Sequence, residues 1–146
     1  MLASDLLKTK GDRVHSVVAT ASLATAAGIM AAANIGALVV EGPTGALIGL
    51  VSEREVTAAL ARFAAQADRL PVAEVMLIDP ATVSPDTSVM AVIAAMTARR
   101  ARHVPVVADG RVVGILSIGD VLKSRLDEKT LENDVLHDIA RWPRAA

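Results

Sequence analysis

Apolar residues recur with helical spacing at two places in the chain, and the two places are 66 positions apart. Both sets follow the spacing i, i+3, i+4 and i+7 of one helix face: Leu23, Ala26, Ala27 and Met30, then Val89, Val92, Ile93 and Met96. Polar cap residues precede each set, at 20–22 and at 86–88. Brief extended segments come before the caps, at 17–18 and at Val83. The identical phase indicates an internal repeat.

Each copy continues with two β-branched strands joined by a turn, and then with a second helix. The strands are predicted at 35–40 and 46–51 in the first copy, and at 101–106 and 112–116 in the second. Gly42 and Gly45 mark the first turn, and the Asp109-Gly110 pair is a tight hairpin signal in the second. The second helices are predicted at 53–65 and 119–126.

Helices are also predicted where each copy begins and beyond the second copy. Residues 2–7 and 71–76 form matching opening helices, which gives an α+β fold of two repeats, at 1–67 and 72–127, with an exposed linker at 66–71. A separate C-terminal helix is expected within 128–146, where Pro143 would end it. Its apolar face is formed by Leu131, Val135, Leu136 and Ile139. Trp142 is interpreted as a hydrophobic plug on its own domain or on a second copy.

Charge and composition exclude several classes of partner. With 15 basic and 16 acidic residues the net charge is -1, which provides neither a nucleic-acid footprint nor a basic membrane patch. The absence of cysteine excludes disulfides and thiolate metal sites, and it fits a reducing cytoplasm. Residues 14–40 carry no charged side chain and are long enough to span a bilayer, but the matching stretch of the second copy is charged. We therefore expect a cytoplasmic protein without a membrane span.

The junctions between a strand and the helix after it carry the most informative polar residues. At 49–55 and again at 114–120, a glycine opens an apolar strand, a serine closes it, and a carboxylate follows three residues later. This spacing is typical of a capping box. A helix N-terminus also has free backbone N–H groups, which bind anions and hydroxyls. Spacing alone leaves both interpretations open.

These residues resemble a tandem pair of CBS domains, the small repeat named after cystathionine beta-synthase, in a Bateman module of the short stand-alone bacterial type. The resemblance covers residues 2–126 and is carried most specifically by 102–107, 109–110 and 114–120. It implies two repeats related by pseudo-two-fold symmetry, which pack through their sheets and leave two clefts. In that family the clefts receive adenosine-containing ligands such as AMP, ADP, ATP, NAD(H) or S-adenosylmethionine.

The resemblance also implies which residues would contact the ligand in the better cleft. Asp120 would accept the two ribose hydroxyls, with Ser117 and the Gly119 backbone beside the ribose and phosphate. Ile115 would touch the base. The adenine wall would come from the first copy and consist of Ile35, Gly36, Ala37, Val14 and His15.

Arg102 and His103 would face the phosphates, where a guanidinium group suits the oxygens. The second cleft would be lined by Ser52 and Glu55, with Ala81 and the segment from Ala101 to His103 opposite. Glu55 replaces the aspartate of the family pattern, so its carboxylate lies one methylene further out. This second cleft is therefore expected to bind ligand weakly or to stay empty.

The same residues allow simpler interpretations. His103 alone would be a surface or core histidine, and Arg102 with Arg99 and Arg100 would form a solvated helix end. The phosphate-loop, zinc-protease and dinucleotide motifs are absent, so we expect no catalysis, no catalytic cofactor and no metal. The leading hypothesis is a regulatory module that binds an adenine nucleotide (AMP, ATP or NADH). The alternative is a ligand-free dimerisation or interaction module. Apolar helix faces predict a homodimer, and a regulated protein partner is left unidentified.

Overall fold

The computed structural model describes residues 1–11 and 13–141, with side-chain surroundings up to His137. The first half contains, in order, α1 (Ala3–Lys10), β1 (Ser16–Val18), α2 (Leu23–Ala33), β2 (Ala37–Glu41), β3 (Leu47–Ser52), α3 (Glu53–Phe63) and a 3-10 helix (Ala64–Arg69). The second half contains α4 (Val72–Val75), β4 (Leu77–Ile78), α5 (Val89–Arg99), β5 (His103–Ala108), β6 (Arg111–Ser117) and α6 (Ile118–Arg141).

The strands form two small sheets. One sheet has the order β1-β2-β3-β4, in which β1 and β2 are parallel and the other pairs antiparallel. The other sheet is the antiparallel pair of β5 and β6. Val83 extends the second sheet by one parallel bridge to Val106, and Val17 pairs with Val40 at the matching position of the first sheet. The predicted α+β repeat is therefore confirmed, with a shorter first strand in the second copy.

Local signals in the sequence place the helix and strand ends. Ser22 and Ser88 cap α2 and α5 by accepting the N–H groups of Thr25 and Ala91. Asp109 and Gly110 both have positive φ, 51° and 75°, which is the backbone of the two-residue hairpin between β5 and β6. The predicted caps and hairpin are confirmed.

Each opening helix packs into the core of the other repeat. Ala3, Leu6 and Leu7 of α1 lie in one core with the apolar residues of α5, β5 and β6. Val72 of α4 lies in the other core, with α2, β2 and β3. Two antiparallel bridges accompany this exchange, from Leu2 to Ser88 and from Pro71 to Ser22. The exchange places the end of α1 beside the second copy's strand-to-helix junction.

Two sequence expectations change in detail. The helices expected at 119–126 and 128–146 are one continuous helix, α6, because no glycine or proline interrupts this stretch after Gly119 and ion pairs such as Arg125–Glu128 support it. The linker at 66–71 falls mostly in the 3-10 helix and buries Ala67, because this small residue fits under α2.

Of the predicted C-terminal face, Leu131, Val135 and Leu136 are exposed. The side chain of Ile139, as well as Trp142 and Pro143, lies outside the described residues. The uncharged stretch 14–40 is divided among β1, α2 and β2. No helix in the described part of the chain is long and apolar enough to cross a membrane.

Candidate functional site

Both strand-to-helix junctions form closed capping boxes. At the start of α3, the Ser52 hydroxyl and N–H both donate to Oε2 of Glu55, at 2.5 and 2.8 Å. At the start of α6, the Ser117 hydroxyl and N–H both donate to Oδ2 of Asp120, at 2.7 Å each. The capping interpretation is confirmed at both places. Within the described residues, no hydrogen bond ends on the second oxygen of either carboxylate, which leaves that oxygen available as an acceptor.

A backbone hydrogen bond ties each junction to the residue just before the neighbouring strand. The N–H of Glu53 donates to the carbonyl of Gly36 at 3.1 Å, and the N–H of Ile118 donates to that of Arg102 at 2.9 Å. These two bonds are equivalent in the repeat. They fix Gly36 beside the first residue of α3 and Arg102 beside the first residue of α6.

His103 and Gly36 meet where the two repeats face each other. A Cβ atom built on Gly36 would lie 3.0 Å from Nε2 of His103, so position 36 accepts only the smallest residue without displacing the imidazole. Glycine at 36 was expected to let a purine approach the backbone. In the structure the nearest ring at this position is the His103 imidazole.

The charges around His103 come from both junctions. Burial lowers the pKa of His103 below its ordinary value of 6.5, and the positive charge of Lys10 lowers it further. The nearby carboxylates of Glu53, Asp120 and Glu55 act in the opposite direction, but the net shift is downward. His103 therefore senses the charge state of both junctions.

A cavity of about 650 Å³ opens between the repeats beside Glu55, a volume typical of small-molecule sites. We call it the Glu55 cleft. The four residues expected only in the second cleft line it, namely Ser52, Glu55, Ala81 and Ala101. It is also lined by Arg102 and His103, which were expected at both clefts, and by Gly36, which was expected in the better cleft.

The walls of the Glu55 cleft combine opposite charges with open apolar surface. Its rim from α5 to β5 carries the exposed side chains of Arg99, Arg100 and Arg102. Arg54 crosses from α3 and donates from Nη1 to the Arg100 carbonyl at 3.1 Å, which links the repeats. Ile78 lies on the wall with 70% of its surface exposed, an unusual position for a large apolar residue. A ligand with an apolar ring and an anionic end would satisfy both features.

The pseudo-equivalent position, which we call the Asp120 site, consists of Asp120, Ser117, the Ile115 carbonyl and Lys10. Nζ of Lys10 donates to Oδ2 of Asp120 at 2.7 Å and to the Ile115 carbonyl at 2.8 Å. Partial burial raises the pKa of Asp120, but hydrogen bonds from Lys10 and Ser117 outweigh it, so the pKa is lowered overall. Lys10 thus forms an ion pair with Asp120, the carboxylate to which the family resemblance gave the ribose hydroxyls.

The remaining predicted residues lie away from the Glu55 cleft. Among the described residues, the lining of this cleft does not include Asp120, Ser117, Gly119, Ile115, Ile35, Ala37, Val14 or His15. Ile35 packs against the first core, and Ala37 is buried at the start of β2. The His15 carbonyl accepts the N–H of Val39 at 3.1 Å, which continues the β1 pairing.

Sequence reasoning missed four residues to which these sites give a role: Lys10, Arg54, Ile78 and Asp79. Lys10 belongs to the opening helix of the first copy but reaches the second copy's junction, and no local pattern reveals this exchange. Arg54 lay within the junction motif, yet its reach to Arg100 depends on how the repeats face each other. Asp79 is the repeat equivalent of Lys10, 69 positions later, so the sequence points to it only once the position of Lys10 is known.

The CBS domain family model matches the chain twice, at residues 3–62 and 72–127. The chain belongs to the CBS-domain family. Among curated proteins it is similar to the "CBS domain-containing protein CBSX3, mitochondrial" of Arabidopsis thaliana, with 31% identity over 133 residues. That match covers 86% of this chain and 65% of the relative, so the chain spans less than two thirds of the relative's length. The relative is named for its CBS domains and not for an enzyme activity.

Solved structures of CBS-domain proteins share the fold. The CBS-domain containing protein ATU1752 from Agrobacterium tumefaciens has 36% identity and a TM-score of 0.83, covering 86% of this chain and 99% of that chain. The CBS domain pair of protein MJ0100, in complex with 5'-methylthioadenosine and S-adenosyl-L-methionine, has 29% identity and a TM-score of 0.75, covering 86% and 98%. CBSX2 in complex with AMP has 25% identity and a TM-score of 0.73, covering 88% and 98%.

Proposed function

We propose that this CBS pair is a regulatory module that binds an adenosine-containing ligand, such as AMP, ADP, ATP or NAD(H), between its two repeats. The observation that carries the proposal is the Glu55 cleft, where residues of both repeats surround about 650 Å³ with a free carboxylate oxygen and four arginines. Similar CBS pairs are known with AMP and with S-adenosylmethionine and methylthioadenosine, which supports this ligand class. A ligand that touches both repeats can report its presence by changing how they pack.

Each part of an adenine nucleotide has a matching wall in the cleft. The free oxygen of Glu55 accepts the ribose hydroxyls, while its other oxygen stays in the capping box with Ser52. Ile78 covers one face of the base, because the ring would bury its exposed apolar surface. Arg102 and its neighbours on the rim bind the phosphates through charged N–H donors.

We propose that ligand enters the Glu55 cleft first, which reverses the order expected from the length of the glutamate side chain. The Glu55 cleft is open, and its carboxylate has no cationic partner among the described ion pairs. The Asp120 site retains the residues assigned to ribose and base, but Lys10 is bound to its carboxylate. Its use therefore depends on Lys10, as argued below.

A thermal-shift series tests the binding proposal. At a hundredfold excess over Kd, a ligand that binds only the folded state stabilises it by about 2.7 kcal/mol. For a chain of this size that raises Tm by roughly 5 to 10 °C. Glu55→Gln should remove most of the shift given by AMP, whereas Asp120→Asn should keep most of it. If no adenine nucleotide shifts the wild-type Tm, the ligand-free interaction module becomes the better account.

We also propose a homodimer that forms across α5 and α6. A groove of about 360 Å³ between these helices is lined by apolar side chains that include Ile93, Ile118 and Leu122. Met90, Ile118 and Leu122 expose 59%, 47% and 57% of their surface. Apolar exposure concentrated on one face is typical of an interface between subunits.

A further inference from the structure

The Lys10 ammonium occupies the two acceptors at the centre of the Asp120 site. It donates to Oδ2 of Asp120 at 2.7 Å and to the Ile115 carbonyl at 2.8 Å. The side chains of Lys10 and Asp120 are 37% and 22% exposed, so the pair is only partly screened by solvent. Oδ2 already accepts two hydrogen bonds from Ser117, and Lys10 supplies a third. A ligand hydroxyl can still reach Oδ1, but it then meets a carboxylate whose charge Lys10 already neutralises, and a hydroxyl that needs Oδ2 has to replace the ammonium.

Packing of α1 on β6 fixes the position of Lys10. A Cβ atom on Gly114 would lie 2.5 Å from Cδ2 of Leu7, so the glycine allows the helix to rest on the strand. Leu7 is 8% exposed. Lys10 lies three residues further along the helix, about one turn, and therefore on the same side. The helix ends at Lys10, and the next residue, Gly11, has a φ of 98°, a backbone conformation that favours glycine.

In the other repeat, the equivalent helix–strand contact is followed by an acidic residue instead of a lysine. A Cβ atom on Gly49 would lie 2.5 Å from Sδ of Met76, which is the counterpart of the Leu7 and Gly114 contact. The residue three positions after Met76 is Asp79, which lines the Glu55 cleft. A carboxylate cannot neutralise Glu55 as Lys10 neutralises Asp120. The repeat thus places a cation at one site and an anion at the other.

We propose that Lys10 determines which site takes the ligand, by holding the Asp120 carboxylate until a ligand displaces it. This inference rests on the proposed binding of adenosine-containing ligands. The Glu55 cleft is filled at low ligand concentration, and the Asp120 site is filled only at higher concentration, when ribose hydroxyls compete with Lys10. The protein thereby responds to a wider range of ligand concentration than two identical sites would allow.

Calorimetric titration of adenosine and AMP into Lys10→Met tests the inference. Methionine keeps most of the side-chain length and removes the charge. Adenosine is the decisive probe because it carries the ribose but no phosphate. We expect Lys10→Met to bind adenosine about tenfold more tightly at the weaker site, since a partly exposed charged hydrogen bond is worth about one factor of ten. Lys8→Met, on the same helix but paired with Asp5, is the matched control and should titrate like wild type.

The outcomes separate the inference from the proposed function. In Lys10→Met/Asp120→Asn the tenfold gain should disappear, which locates it at the Asp120 site. If wild type binds adenosine and Lys10→Met binds it no better, the role of Lys10 is refuted and the proposed function stands. If Lys10→Met weakens AMP but leaves adenosine unchanged, Lys10 is a phosphate contact, which also refutes the inference. If neither protein binds adenosine or AMP, the proposed function fails, and the role of Lys10 fails with it.

Discussion

His103 is the residue that lies between the two junctions and is influenced by the charges of both. Its imidazole lies against Gly36, and its pKa responds to carboxylates at both sites and to Lys10. Its backbone pairs with Ser117 in the register of β5 and β6. A ligand that adds a negative charge at either site would act on the same ring. His103 therefore lies within the electrostatic influence of the carboxylates at both junctions.

The lowered pKa of His103 makes stability depend on pH in a defined direction. The unfolded chain takes up a proton near the ordinary value of 6.5, and the folded protein does so only at lower pH. The contribution of His103 to stability is therefore complete above 6.5 and decreases as pH falls from 6.5 toward the folded pKa. Urea unfolding of wild type and His103→Gln should show a smaller loss of stability in the variant over this range.

NMR titration of the imidazole measures the cause directly. The His103 pKa should lie below 6.5 in wild type and should rise in Lys10→Met, because the lysine charge is one of its two lowering influences. Lys8→Met serves again as the control, because Lys8 is not among the charges that shift the pKa of His103. A pKa of 6.5 or above in wild type would show that burial does not dominate at this position.

The exchange of the opening helices is the main feature at the scale of elements. Because α1 packs with the second repeat and α4 with the first, neither repeat has a complete core without the other. The helix–strand contacts at Gly114 and Gly49 are the close approaches on which this exchange depends. These contacts also position Lys10 at the Asp120 site and Asp79 at the Glu55 cleft.

Gly114→Ala should destabilise the protein because it separates α1 from β6. The added methyl group would meet Leu7, a buried side chain with little room to move, and such overpacking costs about 1–3 kcal/mol. Chemical denaturation measures the change, and Leu7→Ala in the same chain should reduce the penalty. Gly28→Ala is the control, because no atom lies within 4 Å of its added methyl group and α2 should gain up to about 1 kcal/mol. Equal stability of Gly114→Ala and wild type would contradict this packing.

Sequence periodicity predicted the elements well because each is specified locally. The helix spacing, the caps at Ser22 and Ser88 and the Asp109-Gly110 hairpin all depend on residues within one turn or one hairpin. The continuous α6 was missed because a break was assumed between two motifs that no helix-breaking residue separates. The contact of Lys10 with Asp120 spans 110 positions and depends on the exchanged helix, which no local pattern encodes.

At the scale of the whole molecule, the Glu55 cleft and the groove between α5 and α6 are neighbouring surfaces. They share Arg100, Ala101 and Arg102, whereas Ile118 and Leu122 line only the groove. A second copy that covers this groove would hold the repeats in place while a ligand acts at their junctions. We propose that substitutions at Ile118 or Leu122, which line only the groove, separate dimerisation from ligand binding.

The dimer is tested by the mass in solution. Light scattering should give about 30 kDa, twice the chain mass of 15.1 kDa, at micromolar concentration. Leu122→Glu should yield the monomer, because a charge would be buried at the centre of the groove. Lys123→Glu, the exposed neighbour that does not line the groove, should stay dimeric. A wild-type mass near 15 kDa would refute the proposed interface.

The most direct test of the binding account is to locate AMP on the protein by the shifts of backbone amide resonances during a titration. The account predicts saturable shifts first at 52–55 and 99–103, the two sides of the Glu55 cleft. Shifts at 115–120 should follow only at higher AMP concentration, and they should appear earlier in Lys10→Met. Saturable shifts confined to the outer face of α6, or no saturable shift at any AMP concentration up to millimolar, would contradict a nucleotide site between the repeats.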